Sequence, residues 1–399
     1  MAALINYDSP AHRWFTELLG ENQFGYVVAP MVDQSDLPFR FLARRHGANI
    51  CYTPMIHSRM FTTDLKYREK FLPRFDESSH AQGGATIHQF CGNDPDVMLA
   101  AVKLLPAYCD VVDINCGCPQ GIARRGRYGA FLLEEADLLV SIVEKLVKES
   151  GKRVTVKVRL LPSGLEDSIA LYERLVDAGA SLLTVHGRTR HQKGQLTGAP
   201  DWDAIAAVVK AVGDRIPVVA NGGISNMDDV RRCLEVTKAR GVMSSEGVLE
   251  FPALFSETNV ESTGGRRTAP SRLSLAREYL DLEEQFPNHE GGQGSGLKCA
   301  KTHLQHFLYS DLQPFEPART AMHQAHSVDD MRAVCDLIEA HRGEDHDAGA
   351  EQLGWYNRHR CEKEGETKLD VKQHELEDDF GGCIEGMWGG EVCAGEGDY

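Results

Sequence analysis

The sequence has no stretch of 18 unbroken apolar residues, so nothing in it reads as a membrane-spanning helix. Met1 to Pro10 lacks a basic stretch followed by an apolar run, and no secretory leader is expected. It also lacks any Cys-x-x-Cys pair, the usual nucleus of a zinc site. His359, Cys361, His374, Cys383 and Cys393 follow no zinc-ligand spacing, so no metal is expected. The 11 cysteines are odd in number and scattered, which argues for reduced thiols in the cytoplasm, with a nuclear fraction left open. Basic charge is short: 43 Lys and Arg face 59 Asp and Glu, a formal charge of -16. Much of that excess lies in one place, since residues 342–399 hold about 16 acidic and 6 basic residues. The rest of the chain is mildly acidic and can still carry a basic face for an anionic partner.

What the sequence does have is alternation. Short β-branched or apolar runs read as strands at Val27–Met31, Ile50–Ile56, Ala85–Phe90, Val111–Cys116, Arg153–Leu160, Leu182–Gly187, Pro217–Gly222 and Gly241–Ser245. Helical periodicity lies between them at Asp36–His46, Asp94–Cys109, Glu134–Glu149 and Ser168–Ala178. Asn93-Asp94-Pro95 and Asn226-Met227-Asp228 carry helix-start signals, while Gly179 and Gly213 fall where stops belong. Eight strand–helix alternations predict an α/β protein built as a closed (β/α)8 TIM barrel, with an open doubly wound sheet as the alternative. After Phe255 the texture changes, and Thr258–Pro270 reads as a linker. Helical patterns at Leu273–Gln285, Leu297–Tyr309 and Val328–His341 predict a small helical domain. The expected division is a barrel over 1–262, a helical domain over 263–343, and an acidic, weakly ordered tail over 344–399.

Reactive groups of such a barrel collect where strands end at its C-terminal face. Polar residues end nearly every predicted strand. Asn221-Gly222-Gly223 and Ser245-Glu246-Gly247 form turns after the seventh and eighth strands, where main-chain N–H groups can approach a phosphate; tight turning alone would account for them equally well. Lys157, set between Val156 and Val158, reads as a buried cation that needs an anion or an electron-rich ring. In Asp113-Ile114-Asn115-Cys116-Gly117-Cys118-Pro119, two cysteines one residue apart suit neither a local disulfide nor a standard zinc pair. Cys116 reads as a buried structural thiol. Cys118, just past the strand, is a candidate proton donor or acceptor in the barrel mouth.

The run Asn115-Cys116-Gly117-Cys118-Pro119, followed by Gly126, Gly129-Ala130 and Leu132-Leu133, resembles the signature of the dihydrouridine synthases. It is most similar to the eukaryotic branch acting on uridines 16 and 17 of the tRNA D-loop. The resemblance also takes in Ala29-Pro30-Met31-Val32, Gln89-Phe90-Cys91, Val156-Lys157-Val158-Arg159, Thr184 to Thr189 and Val242-Met243-Ser244, and spans roughly residues 25 to 255. It implies an FMN-binding barrel that reduces uridine in tRNA. Tightly bound FMN would be held by Pro30, Met31, Val32, Gln89, Lys157, His186, Asn221, Gly222, Gly223, Ser245 and Glu246, with NADPH or NADH as reductant. Cys118 would be the catalytic acid, and Asn115, Arg159, Arg188, Arg190 and Arg124 would face the RNA. Two positions depart from the pattern: Gly223, where relatives often have Asn, and Ser245, where Ala is frequent. No obligate protein partner is expected.

Overall fold

The computed structural model describes residues 8–20, 22–72, 84–194, 197–256, 270–288 and 296–342. Nine strands run in chain order: β1 Gly25–Val28, β2 Ile50–Tyr52, β3 Ile56–His57, β4 Ala85–Cys91, β5 Val111–Cys116, β6 Arg153–Arg159, β7 Leu183–His186, β8 Val218–Asn221 and β9 Gly241–Ser244. All pairings are parallel, and β1 pairs with both β2 and β9 while β2 also pairs with β4. That closes eight strand positions into a ring with no free edge. A closed barrel, not the open doubly wound sheet, is therefore the fold.

β2 and β3 share one barrel position. The sequence reads as a single strand from Ile50 to Ile56, but Pro54 lies in the middle and has no N–H to give the ladder. The chain therefore bends at Thr53, whose Oγ1 accepts from Gln89 N at 3.2 Å, and β3 rejoins the end of β4.

Side chains alternate across the wall with the two-residue period of a strand. Val28, Cys51, Ile114, Val156, Val185 and Val242 face the surrounding helices in one buried core. Val27, Ile50, Tyr52, Ile87, Val111, Val219 and Met243 fill the interior. Trp14, Phe15 and Leu19 join that inner cluster from the helix Pro10–Leu19, which plugs the N-terminal end of the barrel. That helix was absent from the pattern reading. Its signal was present in Ser9-Pro10: the Ser9 side chain accepts from His12 N at 3.2 Å, with proline at the first helical position. Asp94 and Asn226 cap their helices as expected.

Beyond the barrel lie the helices Arg272–Gln285, Leu297–Phe307, Tyr309–Leu312, Glu316–Gln324 and Val328–Arg342. Three of these stretches match the predicted helical patterns; Glu316–Gln324 was not foreseen. The proposed domain boundaries near 262 and 343, the linker and the acidic tail lie outside the described residues. No described helix is long and apolar enough to cross a membrane.

The helical region is fastened to the barrel by aromatic stacking and a buried polar cluster. Phe39 stacks on His303 with ring centroids 4.6 Å apart, and Phe41 meets Phe286 at 4.7 Å. Asp36 is the N-cap residue of the helix Leu37–Arg45, yet its carboxylate makes no capping bond. It accepts instead from Tyr279 Oη at 3.1 Å and pairs with His303 Nε2 at 2.6 Å, all three fully buried. Cys299 Sγ, one turn before His303, donates to the Asp33 carbonyl. Asp36→Ala leaves two buried donors without an acceptor, which costs about 1–3 kcal/mol. The urea midpoint should drop accordingly at unchanged slope, and an unmoved midpoint would show that water replaces the carboxylate at no cost.

Candidate active site

Strand register gathers the chemistry at the C-terminal ends of β4 to β9. Asn115 of β5 lies beside Lys157 of β6, and Arg159, His186 and Asn221 align across β6, β7 and β8. All five side chains occupy inward positions of their strands. The loops beyond them enclose a cavity of about 250 Å³. Arg159, His186, Arg188, Asn221, Gly222, Gly223, Ser245 and Glu246 line it, together with Pro119 and Gln120, the two residues after Cys118.

Lys157 is buried, and its Nζ donates to Asn221 Oδ1 at 2.9 Å. Asn221 in turn donates from Nδ2 to the Met243 carbonyl at 3.0 Å, which fixes its amide orientation. Burial, reinforced by the nearby Arg159, pulls the Lys157 ammonium down to about 8. Arg159 is also buried and is anchored on main-chain oxygens, with Nε to Gly117 O at 2.8 Å and Nη1 to Thr189 O at 2.9 Å. Among the described residues neither cation has a carboxylate within ion-pair distance. Arg188, bonded through Nη2 to Gly198 O at 2.8 Å, adds a third positive charge. A chain of net charge -16 thus gathers three cationic side chains at the barrel mouth, two of them buried, an arrangement that suits an anionic ligand.

Histidine 186 is held neutral. Arg188 Nη1 lies 3.1 Å from His186 Nε2, and a guanidinium can only donate, so Nε2 is the acceptor and the ring proton sits on Nδ1. Burial and the surrounding cations depress its pKa far below the ordinary histidine range, in agreement with that tautomer.

Cys118 sits in a turn held from several sides. Asn115 Oδ1 accepts from Gly117 N at 3.2 Å and from Cys118 N at 3.1 Å. The Cys118 carbonyl accepts from Ala130 N at 3.0 Å. Gly129 has φ +64, and a Cβ there would lie 2.6 Å from the Cys118 carbonyl oxygen, so only glycine permits this closure. The thiol is partly buried, packed beside Cys91, Ala123 and Tyr128. Burial raises its pKa and outweighs the Gln120 N–H that bonds the sulfur and the cations Arg159 and Lys157, so it is a protonated thiol at neutral pH. Cys116 is fully buried on the opposite face of β5, the structural thiol expected of it.

The remaining site expectations separate. Pro30 and Met31 follow β1 at the barrel mouth, and Met31 packs against the inner cluster. Val32 is 52% exposed on the rim. Gln89 is buried and does not line the cavity; its Oε1 accepts from Asn115 Nδ2 at 2.8 Å. Arg190 is paired with Glu134 and lies over the Phe131 ring. Arg124 is exposed on the helix Gly121–Arg125 and does not line the cavity. Asp113 and Thr155 were missed; their signal was the two-residue period that puts Asp113 on the same face as Asn115 and Thr155 on that of Lys157.

An FMN-like group fits this site. Gly222 and Gly223 have φ of +109 and +75, and a Cβ at Gly222 would lie 3.0 Å from both the His186 ring and Pro200. Bare backbone is therefore required at the turn where a phosphate would be cradled, next to the Arg159 and Arg188 side chains.

Residues 27–342 match the family described as dihydrouridine synthase. A tRNA-dihydrouridine(16/17) synthase [NAD(P)(+)]-like protein of Rattus norvegicus is 42% identical over 320 residues, covering 80% of this chain and 68% of its own length. The tRNA-dihydrouridine(16/17) synthase [NAD(P)(+)] of Schizosaccharomyces pombe is 42% identical over 279 residues, 70% of this chain and 67% of that protein. A tRNA-dihydrouridine(20a/20b) synthase [NAD(P)+]-like protein of Homo sapiens is 33% identical over 296 residues, 73% and 84% respectively. This chain thus spans about two thirds of the first two relatives. The match covers both the barrel and the helices packed on it, and with the Cys118 turn and the cation-lined mouth in place the chain belongs to the dihydrouridine synthase family.

Proposed function

We propose that this chain reduces uridine to 5,6-dihydrouridine in the D-loop of tRNA, at positions 16 and 17, with Cys118 giving the proton to C5. The observation that carries this reading is a partly buried thiol in a turn anchored by Asn115, close to the buried Lys157, whose Nζ donates to Asn221 and has no carboxylate at ion-pair distance among the described residues. Saturating the C5–C6 bond needs a hydride that no side chain can supply. FMN, when bound, supplies that hydride to C6 after reduction by NADPH or NADH.

The protein's own groups do the rest. Gly222, Gly223, Ser245 and Glu246 would hold the FMN phosphate through the main chain. Lys157 would place its charge against the electron-rich edge of the flavin, and Gln89, Pro30, Met31 and Val32 would complete the cradle. His186, neutral in the free protein, has its donor on Nδ1 and not on the edge facing Arg188, so it would act as a hydrogen-bond donor to the base without carrying charge. Arg159, anchored through Nε and Nη1 to the Gly117 and Thr189 carbonyls, would offer its remaining guanidinium N–H groups to the substrate side of the cavity. Arg188, Arg190 and Arg124 would meet the RNA backbone, aided by the helical region. A stacked uridine cannot enter the barrel mouth, so the nucleotide must be extruded to react.

The purified protein should carry the absorption band of an oxidised flavin, and tRNA from cells lacking it should lose 2 Da at uridines 16 and 17 relative to tRNA from cells that have it. A colourless protein, or tRNA of unchanged mass at both positions, would overturn the reading. tRNA affinity should also fall on raising salt from 50 to 200 mM, as phosphate contacts require.

A further inference from the structure

Asp113 lies in β5 two residues before Asn115, is 1% exposed, and has no part in the proposed reaction. Its Oδ2 accepts from Gln89 Nε2 at 2.8 Å and its Oδ1 from Thr155 Oγ1 at 2.6 Å. The chain of bonds continues from Gln89 Oε1 to Asn115 Nδ2 and from Asn115 Oδ1 to the Gly117 and Cys118 N–H groups.

Primary amides are ambivalent: either end can face a neighbour, and a flip exchanges donor for acceptor. A carboxylate is not. It can only accept, so it draws the NH2 end of Gln89 and leaves Oε1 facing Asn115. Asn115 must then turn its own NH2 to Gln89 and its oxygen to the turn. With the opposite polarity, the Asn115 NH2 would face two backbone N–H groups, donor against donor.

We propose that Asp113 is the positioning residue for Cys118, its carboxylate fixing the polarity of the Gln89 and Asn115 amides so that Asn115 can anchor the turn that carries the thiol. The proposal rests on the reading of Cys118 as the proton donor for its functional consequence, but the hold on the turn can be measured without it. Ionisation supports the role: burial lifts the Asp113 carboxyl to about 6, still below neutrality, with Thr155, Gln89 and Lys157 holding it down and Tyr52 and Cys116 the other groups that sense it.

The test uses Asp113→Leu, Asp113→Asn and Gln89→Met in the full chain. Removing a buried charge for an apolar side chain need not lower stability. Asn retains one oxygen that can face Gln89, while its NH2 can face Thr155 Oγ1, so it can preserve the relay; Leu and Met cannot. The first readout is iodoacetamide labelling of Cys118 in flavin-free protein, followed by mass spectrometry of the peptide. Labelling should rise about tenfold in Asp113→Leu and Gln89→Met, as expected for the loss of about one buried hydrogen bond, and stay within about twofold of wild type in Asp113→Asn. The second is single-turnover reoxidation of reduced, flavin-loaded enzyme by tRNA, slowed roughly tenfold or more in Asp113→Leu and largely rescued in Asp113→Asn.

Unchanged labelling in both Asp113→Leu and Gln89→Met would overturn the proposal, as would equal labelling defects in Asp113→Leu and Asp113→Asn. Should Asp113→Leu fail to fold, Gln89→Met against Asp113→Asn gives the same decision. If Cys118→Ala keeps full single-turnover rate, the acid assignment falls, while the labelling arm still judges Asp113.

Discussion

Cys118→Ala, purified with its flavin intact, is expected to reoxidise with tRNA roughly 10²–10⁴-fold more slowly than wild type, the range for removing a positioned proton donor. The turn is held by Asn115 Oδ1 and by the Ala130 N–H on the Cys118 carbonyl, bonds that do not depend on the sulfur, so alanine, which gives up only the Gln120 N–H contact to the thiol, is expected to leave the fold and the flavin cradle in place. Stopped-flow decay of reduced flavin against tRNA measures this directly, and flavin content from the absorption spectrum controls for loss of cofactor. Wild-type single-turnover rates in the variant would remove the thiol from the reaction. The same role sets a pH dependence. Burial raises the thiol pKa, so the protonated, donating form persists through neutrality and is lost only in the alkaline range. The rate should therefore fall on the alkaline side, and alanine should abolish that limb.

Lys157→Ala is expected to weaken FMN binding by roughly 10²–10³-fold, the cost of removing one partner from a buried charge contact, and to yield a protein that loses its colour on a column. Fluorescence titration of the flavin-free protein gives the dissociation constant; unchanged affinity would mean that this side chain faces something else. Wild type carries its own internal check. In the free protein the ammonium has a pKa of about 8, lowered chiefly by burial. Charged lysine predominates below that pH and is lost above it, so affinity for the anionic ligand should hold at pH 7 and decline as pH rises through 8. The decline should be absent in Lys157→Ala. Binding an anion also favours the charged lysine, so proton uptake should accompany binding near pH 8.

The strands were legible because most are short runs of apolar or β-branched residues largely buried on both faces, and the barrel closes on the eight positions that pattern predicted. What was misread had a local cause. Ile50–Ile56 looked continuous because hydrophobicity does not register that Pro54 lacks a donor. Pro10–Leu19 was overlooked because a plug at the barrel's N-terminal end interrupts no strand–helix alternation. Within the site, Lys157 and Cys118 could be singled out because a cation between valines and a thiol at a strand end are conspicuous in one dimension. For Asp113 the two-residue period gives only its face, because its importance lies in which end of Gln89 it attracts, and Gln89 is 24 residues away. Arg159, which the family resemblance turns toward RNA, lines the cavity with its Nε and Nη1 on the carbonyls of residues 117 and 189, an anchoring that the sequence does not display.

The junction at Asp36 has a practical bearing on how this protein can be dissected. An excised barrel ending near residue 256 would display Phe39 and Phe41 with their ring partners gone, and a carboxylate stripped of both companions. Such a fragment would present a sticky greasy face with a lone charge in its middle, suited to clumping and poorly suited to standing by itself. The two regions are therefore best treated as a single heritable unit, and a catalytic core trimmed of its helices would report on its own aggregation before it reported on RNA.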